Sequence, residues 1–289
     1  AMYRDDKEIK ALKRAAAQLL INSSAYPRPA IVYHYTSLDT AIKILDSFEI
    51  WCTNVAYSTD TYEGIYGQGT IDRICARDSD LLMEGARRLI AEEIDGYTAS
   101  FCAEPDIPTQ WTTYGSNGRG VAIGVDAAVL SSRSQVAFSH VEYDATRQEK
   151  LVKDVLNLFR GRMLSARSWP PRKRRLAYVL TLSFVIVRAM LKDPSYQKEQ
   201  EYRLLDALPK DPKHHDTSLE HFQRGSQSVP FFRVDLRDST ASGAAQPIRE
   251  VWLGPCMDYS DGEARLKESA AYRAQSFPIE RSRVSLECD

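Results

Sequence analysis

Ile31-Val32-Tyr33-His34-Tyr35-Thr36-Ser37, running on through Leu38 to Ile50, is the stretch on which the fold turns. Ile31, Val32, Tyr33 and Tyr35 favour an extended strand. Thr36 and Ser37 end that run with hydroxyls. Asp39-Thr40 open a helix whose apolar positions, Ala41, Ile42, Leu45 and Phe48, follow helical spacing. A second short strand, Ile50-Trp51-Cys52-Thr53, follows at once. A histidine at the end of a strand, beside hydroxyls and a helix start, is one way to grip a ligand. A buried histidine bonded to backbone is the competing reading of His34.

Working outward, the pattern over 5–21 is helical, and Tyr26-Pro27-Arg28-Pro29 breaks it. Residues 54–69, rich in turn formers and tyrosines, read as a loop or lid. Helices are expected over 79–93 and 109–114, and strands over 97–102, 120–125 and 136–143. From 146 to about 191 the pattern is helical, interrupted at Trp169-Pro170-Pro171. Strands resume over 202–205, 229–234 and 250–253, a helix spans 260–275, and 283–286 reads as a final strand. Residues 210–228 lack periodicity and read as an exposed loop, and 239–245 as a flexible connector. Short strands on both sides of a helical insert imply an α+β fold with one mixed or split sheet. The expected organisation is an N-terminal helix over 1–30 and a single α+β domain over 31–289, with the insert at about 146–195.

Composition excludes several classes of function. The 289 residues are 43% hydrophobic and 27% charged, as in an ordinary globular protein. A net charge of -1 leaves no global field toward nucleic acid or an anionic membrane. Cys52, Cys75, Cys102, Cys256 and Cys288 are scattered and odd in number, and no pair has the spacing of a metal knuckle or a redox motif. They are expected to be reduced cytosolic thiols. The charged N-terminus is unlike a signal peptide. The most apolar stretch, 176–191, is interrupted by Arg188 and is expected to be a core helix rather than a membrane span. The expected location is cytoplasmic.

Several constellations could carry chemistry. Ser100-Phe101-Cys102, Gln110-Trp111-Thr112-Thr113-Tyr114-Gly115 and Gly118-Arg119-Gly120 through Gly124 follow one another. Trp111 and Tyr114 are spaced to share one helix face, which could stack a flat ring. The competing reading makes them core aromatics beside a glycine hairpin. No lysine followed by serine or threonine completes a phosphate loop. Lys198-Glu199-Gln200-Glu201-Tyr202-Arg203 places two glutamates at i and i+2, on the same side of a strand. Such carboxylates could hold a ribose hydroxyl or stabilise a cationic sugar. The competing reading is a solvated edge strand with Arg203 pairing a glutamate. His214-His215 with His221 lie in a polar loop without supporting ligands, so no metal is expected. Arg167 and the run 172–175 read as the wet end of a helix, although such a run could touch phosphate.

Taken in order, Tyr33-His34-Tyr35-Thr36-Ser37, Ser58-Thr59-Asp60 with Glu63, the 100–124 stretch, Val141-Glu142-Tyr143, Glu199-Gln200-Glu201-Tyr202-Arg203 and Glu250-Val251-Trp252-Leu253-Gly254-Pro255 resemble a bacterial domain-of-unknown-function family, number twenty-nine seventy-one. The resemblance runs from about Ile31 to Arg283 and is weakest in the helical insert. More distantly, a strand ending in histidine, threonine and serine, then a helix and a short strand, resembles the opening of the ADP-ribosyltransferase fold. That likeness implies NAD as substrate. His34 would bind the adenosine ribose, and the backbone of Tyr35 the nicotinamide amide, beside Thr36 and Ser100. Glu201 would support glycosidic cleavage, with Glu199 as the upstream carboxylate, and Tyr114, Trp111 or Tyr66 would stack the nicotinamide. Tyr35 stands where such enzymes usually have glycine, and their serine-threonine-serine motif survives only as Thr98-Ala99-Ser100.

The function this resemblance implies is that of an NAD-dependent ADP-ribosyltransferase-like enzyme, or an NAD glycohydrolase, acting as a toxin or phage-defence effector. Its acceptor would be a protein side chain, a nucleic-acid base or water, and a neutralising partner protein would accompany a toxin. The alternatives are a non-catalytic module that binds a nucleotide or partner in a bacterial defence system, and a nucleic-acid-processing enzyme.

Overall fold

The opening stretch folds as its residues dictate. In the computed structural model, which describes residues 28–58, 61–77, 94–133, 136–165, 170–211, 217–237 and 246–288 with a few isolated positions besides, strand β1 (Ile31–Thr36) ends at Ser37. The Ser37 hydroxyl accepts from the backbone N–H of Thr40 and so caps helix α1 (Leu38–Ser47). Phe48, in a left-handed conformation, closes α1 and turns the chain into β2 (Glu49–Asn54).

Helix α2 (Thr61–Arg77) follows where a loop or lid was expected. Its side chains Ile71, Ile74 and Cys75 pack into a helical core, so this segment is scaffold. Strand β3 (Ile94–Cys102), helix α3 (Pro108–Thr113), strand β4 (Val121–Asp126), the short helix α4 (Ala127–Ser131) and strand β5 (Ala137–His140) come next. Helices α5 (Ala145–Ser165) and α6 (Pro170–Met190) lead through a 3₁₀ turn (Pro194–Glu199) into β6 (Glu201–Pro209). The expected loop at 210–228 contains β7 (Glu220–Arg224), which turns at Gly225 into β8 (Gln227–Asp235). Strand β9 (Ile248–Leu253), helices α7 (Tyr259–Lys267) and α8 (Ala270–Ala274) and strand β10 (Ile279–Arg281) complete the order. The final strand thus precedes the expected 283–286, and residues 282–288 carry no strand.

The result is an α+β protein on a ten-stranded, mixed and mostly antiparallel sheet. The order β10-β9-β4-β1-β3-β2-β8-β7 branches at β3, which also pairs β6, and β6 pairs β5. One edge of β3 is zipped to β6 along its whole length, from Ile94 opposite Pro209 to Cys102 opposite Glu201. The other edge is shared. Cys102 pairs with Tyr33 of β1, while Thr98 and Tyr97 pair with Thr53 and Asn54 of β2. The sheet therefore divides into two arms along that edge, and α1 joins them.

Alternation decides which side chains each layer receives. Leu205 and Ala207 of β6 face the core formed with α2, α5 and α6. Tyr202, Leu204 and Leu208 face the opposite core, which α1 covers with Ala41, Ile44 and Leu45. The 176–191 stretch is buried as expected, and among the described residues no helix is long and apolar enough to cross a membrane. The helix expected over 5–21 lies largely outside the described residues, as do the helix over 79–93, the connector 239–245 and Arg167.

The cysteines correct the expectation of five reduced thiols. Cys256 and Cys288 form a disulfide with Cα atoms 5.4 Å apart, while Cys52, Cys75 and Cys102 are buried and form no disulfide. Val284 and Leu286, just before Cys288, pack against the cluster of Tyr33, Tyr35, Cys102, Trp111 and Ala122. Closing a loop of sequence separation 32 should stabilise the fold by about 3–4 kcal/mol. Reductant is expected to lower the melting temperature by on the order of 5 °C. The Cys288→Ser variant should melt at that lower temperature with or without reductant. Identical melting of the oxidised and reduced wild type would show that the bond does not form in solution.

Candidate functional site

The site lies where the two arms of the sheet part. Consecutive residues of one strand, Tyr33, His34 and Tyr35, all line a single cleft, together with Ser100, Phe101, Cys102, Gln110, Tyr114, Glu199 and Glu201. Neighbouring side chains of a strand point to opposite faces. A cleft lined by three in succession is therefore not on one face of the sheet but in the gap beside β1. The cleft offers ≈ 70 Å³ to the centre of a water molecule. At about 30 Å³ per water, that is room for about two waters, so only the end of a larger ligand would enter it.

His34 spans the gap. Its Nδ1 donates to the backbone carbonyl of Ser100 at 2.9 Å, since a carbonyl can only accept. That bond leaves Nε2 as an acceptor while the ring is neutral. Burial lowers the His34 pKa, only partly opposed by the Ser100 carbonyl, so the ring stays neutral at pH 7. Phe101 packs beside it, with ring centroids 5.6 Å apart.

The tyrosine walls are held rigidly. The Tyr33 hydroxyl donates to Glu250 at 2.8 Å, and Trp252 Nε1 donates to the same oxygen at 2.7 Å. The Tyr35 hydroxyl donates to the carbonyl of Glu104 at 3.1 Å and accepts from the N–H of Ile107 at 3.0 Å. Burial raises both phenol pKa values, so neither ionises near neutrality. The Cys102 thiol also lines the cleft. Burial pushes its pKa well up, with the charges of Glu201 and Glu199 adding to the effect, so it is a poor nucleophile.

Opposite the tyrosines sits a buried ionic cluster. Arg203 grips Glu201 with both fork nitrogens, Nε to Oε1 at 2.6 Å and Nη2 to Oε2 at 2.7 Å. Its Nη1 donates to the carbonyl of Ala189 at 2.5 Å. Lys192, only 3% exposed, places Nζ 2.5 Å from Glu199 and 3.2 Å from Glu201. Ser100 hydrogen bonds Glu201 through its side chain, and Tyr143 Oη accepts from the Glu201 backbone N–H at 3.2 Å. Burial alone would push the Glu201 carboxyl up. Arg203 and Lys192 outweigh it and hold the pKa at about 2. Glu201 is thus permanently ionised near neutral pH, and its two charges of each sign with Lys192, Arg203 and Glu199 balance.

Of the residues singled out from the sequence, His34, Tyr35, Ser100, Tyr114, Glu199 and Glu201 meet in this cleft. Thr36 ends β1 opposite Val121 and does not line it. Trp111 is fully buried, and its Nε1 donates to Asp106 at 2.7 Å. It meets the Tyr35 ring edge-on, at 4.8 Å between centroids, and so supports a wall without touching the space inside. Trp111 and Tyr114 therefore do not form one stacking face, since Tyr114 is 43% exposed at the cleft. Tyr66 packs in the helical core and donates to Gln148 at 3.0 Å, away from the cleft. The glycine run is a turn, with Gly118 at φ 81° after Ser116 and Asn117 at positive φ. The solvated edge strand considered for 198–205 is instead the end of a 3₁₀ turn followed from Glu201 by the buried strand β6, with Arg203 paired to Glu201 as that reading required. Gln110, Tyr33 and Phe101 stand in the quoted motifs without an assigned role and also line the cleft. Lys192 was not singled out and reaches the site through its ion pairs with Glu199 and Glu201.

Among the described residues, no group of three or more His, Cys, Asp or Glu side chains is placed to hold a metal ion. The model of one family, described as a protein of unknown function (DUF2971), matches residues 110–204, about a third of the chain. The match includes Gln110, Tyr114, Lys192, Glu199 and Glu201 and covers the helical insert, while His34 lies outside it. No curated protein and no solved structure matches the chain.

Proposed function

We propose that the cleft binds the nicotinamide end of NAD and supports transfer of its ADP-ribosyl group. The observation that carries this reading is the convergence of His34 from β1 and Glu201 from β6 on one tyrosine-walled cleft. The forked sheet, with α1 joining a histidine-bearing strand to the second arm, supports the likeness to the ADP-ribosyltransferase opening. In the proposed step the bond between the ribose anomeric carbon and the nicotinamide nitrogen breaks, and its electron pair leaves with nicotinamide. An acceptor or water attacks the anomeric carbon and gives its proton to solvent. Glu199 and Glu201 supply negative charge beside the developing cation, and the neutral His34 accepts a hydrogen bond from bound substrate. Orientation and fixed charge account for such a step with little proton transfer at the leaving group.

Labelled NAD, incubated with the protein and cell extract, tests the reading. Wild type should consume NAD and transfer label, and Glu201→Gln should lose on the order of 100-fold in rate. Glu199→Gln tests the more accessible carboxylate and should also slow the reaction. Absence of NAD loss and of label transfer in the wild type would sink the proposal. A second reading draws on the occupied oxygens of Glu201. If Arg203 and Lys192 neutralise it too fully for chemistry, the site binds NAD uncleaved, and titration would detect binding without turnover.

A further inference from the structure

The side chain of Gln110 has an unusual position. It projects from α3 into the cleft and is only 5% exposed. Among the described residues its carboxamide makes no hydrogen bond, although the backbone N–H and C=O of Gln110 are both engaged within and around α3. The buried side-chain atoms left without a partner do not include those of Gln110, so its amide is open to the cleft rather than sealed in the core. Here the unmet donor and acceptor both adjoin the space a ligand would occupy. The surroundings restrict what could meet them. Glu199 and Glu201 lie across the same cleft. His34 adds an acceptor, because its Nδ1 is committed to Ser100.

We infer that Gln110 is a specificity-determining residue that reads a primary carboxamide on a single aromatic ring, pairing with it through two hydrogen bonds. This rests on the NAD reading for the identity of the ring, since nicotinamide carries such a group. The geometry of the pair does not depend on any transfer step. A primary amide offers one donor and one acceptor on adjacent atoms, matching the donor and acceptor of glutamine. A carboxylate offers only acceptors and leaves the glutamine oxygen unmet. The site should therefore separate the amide from the acid. The ≈ 70 Å³ of space admits only the carboxamide end of the ring, with the rest of a dinucleotide lying outside.

Calorimetric titration of the full chain with nicotinamide, benzamide and nicotinate tests the inference. Benzamide keeps the amide and ring but lacks the pyridine nitrogen, so it should bind about as well as nicotinamide. Nicotinate should bind at least about ten-fold more weakly. Gln110→Met, close in size but without the paired donor and acceptor, should bind both amides about ten-fold more weakly and so erase most of the preference over the acid. Its melting temperature, measured alongside, should match wild type. Equal affinity for amide and acid, unchanged amide binding by Gln110→Met, or no binding of either amide to wild type would each overturn the inference. NAD consumption, assayed separately, keeps the two proposals apart. Gln110-dependent amide binding without NAD cleavage would remove the transfer reading and leave this inference standing. NAD cleavage equal in wild type and Gln110→Met would do the reverse.

Discussion

Replacing Arg203 with methionine should destabilise the protein by about 3–5 kcal/mol, because the substitution leaves the Glu201 carboxylate buried without its fork partner. Glu201 is 5% exposed, and both its oxygens are bonded by Arg203. Lys192 remains nearby but is shared with Glu199, 2.5 Å from it. The double substitution Arg203→Met with Glu201→Leu removes both charges together and should recover most of the loss. Buried pairs replaced as a unit by apolar groups often cost little. Denaturant titration reads both values. A loss below about 1 kcal/mol for Arg203→Met would show that water or Lys192 already compensates Glu201.

Acidification should destabilise the fold in two stages, and the earlier stage belongs to histidine. His140 is buried edge-on against Tyr143 and Tyr202, with centroids 5.7 Å and 4.9 Å away. Burial lowers its pKa from 6.5 to about 4, only partly opposed by the Val141 backbone and the Glu201 charge. Between pH 6.5 and 4 the unfolded chain takes up a proton at this position that the folded chain refuses. The contribution of His140 is therefore complete above pH 6.5 and is lost as the pH falls toward 4, about 3 kcal/mol in all. His34, whose pKa is also lowered by burial, acts in the same direction. Glu201 follows at lower pH. Its depressed pKa of about 2 gives stability that is present above pH 4.5 and lost as the pH falls through 2. Melting temperatures recorded across pH 7 to 3 should show both stages. His140→Phe should flatten the first, and an unaltered slope between pH 6.5 and 4 in that variant would count against the assignment.

The segments with strong local patterns were legible. The hydroxyl cap at Ser37, the helical spacing of Ala41 and Leu45 and the β-branched run of β1 each point to one local structure, and the chain adopts it. The failures have specific physical causes. The strand β7 reads Glu-His-Phe-Gln-Arg, too polar to show alternation, and depends on its pairing with β8. Helix α3 ends at Thr113, so Tyr114 falls at its cap with φ -118°, and helical spacing no longer governs where its ring points relative to Trp111. Glu199 and Glu201 do not share a strand. Glu199 closes the 3₁₀ turn, Gln200 adopts φ 45°, and Lys192 draws the two carboxylates together. Lys192 follows Met190-Leu191 and precedes Asp193-Pro194, a context that suits a solvated helix end. Glu199, Glu201 and the Tyr196 ring, which gather around its Nζ, bury it instead. The cysteines Cys256 and Cys288 carry no spacing signal, and the return of the C-terminal residues past Asp106 brings them together. Asp106 accepts from Ser282 Oγ at 2.6 Å and from the Arg283 N–H at 2.8 Å.

The ladder between β3 and β6 also bears on how the protein folds. Its rung from Cys102 to Glu201 closes a loop of about a hundred residues, and the entropy of closing so long a loop must be met before that pairing yields any stabilisation. β1, β2 and α1 are near neighbours along the chain and can associate early. The carboxylates arrive only with the distant strand. A refolding chain should therefore regain much of its helical signal before it can bind a ligand, and ligand binding should return in the slowest major phase.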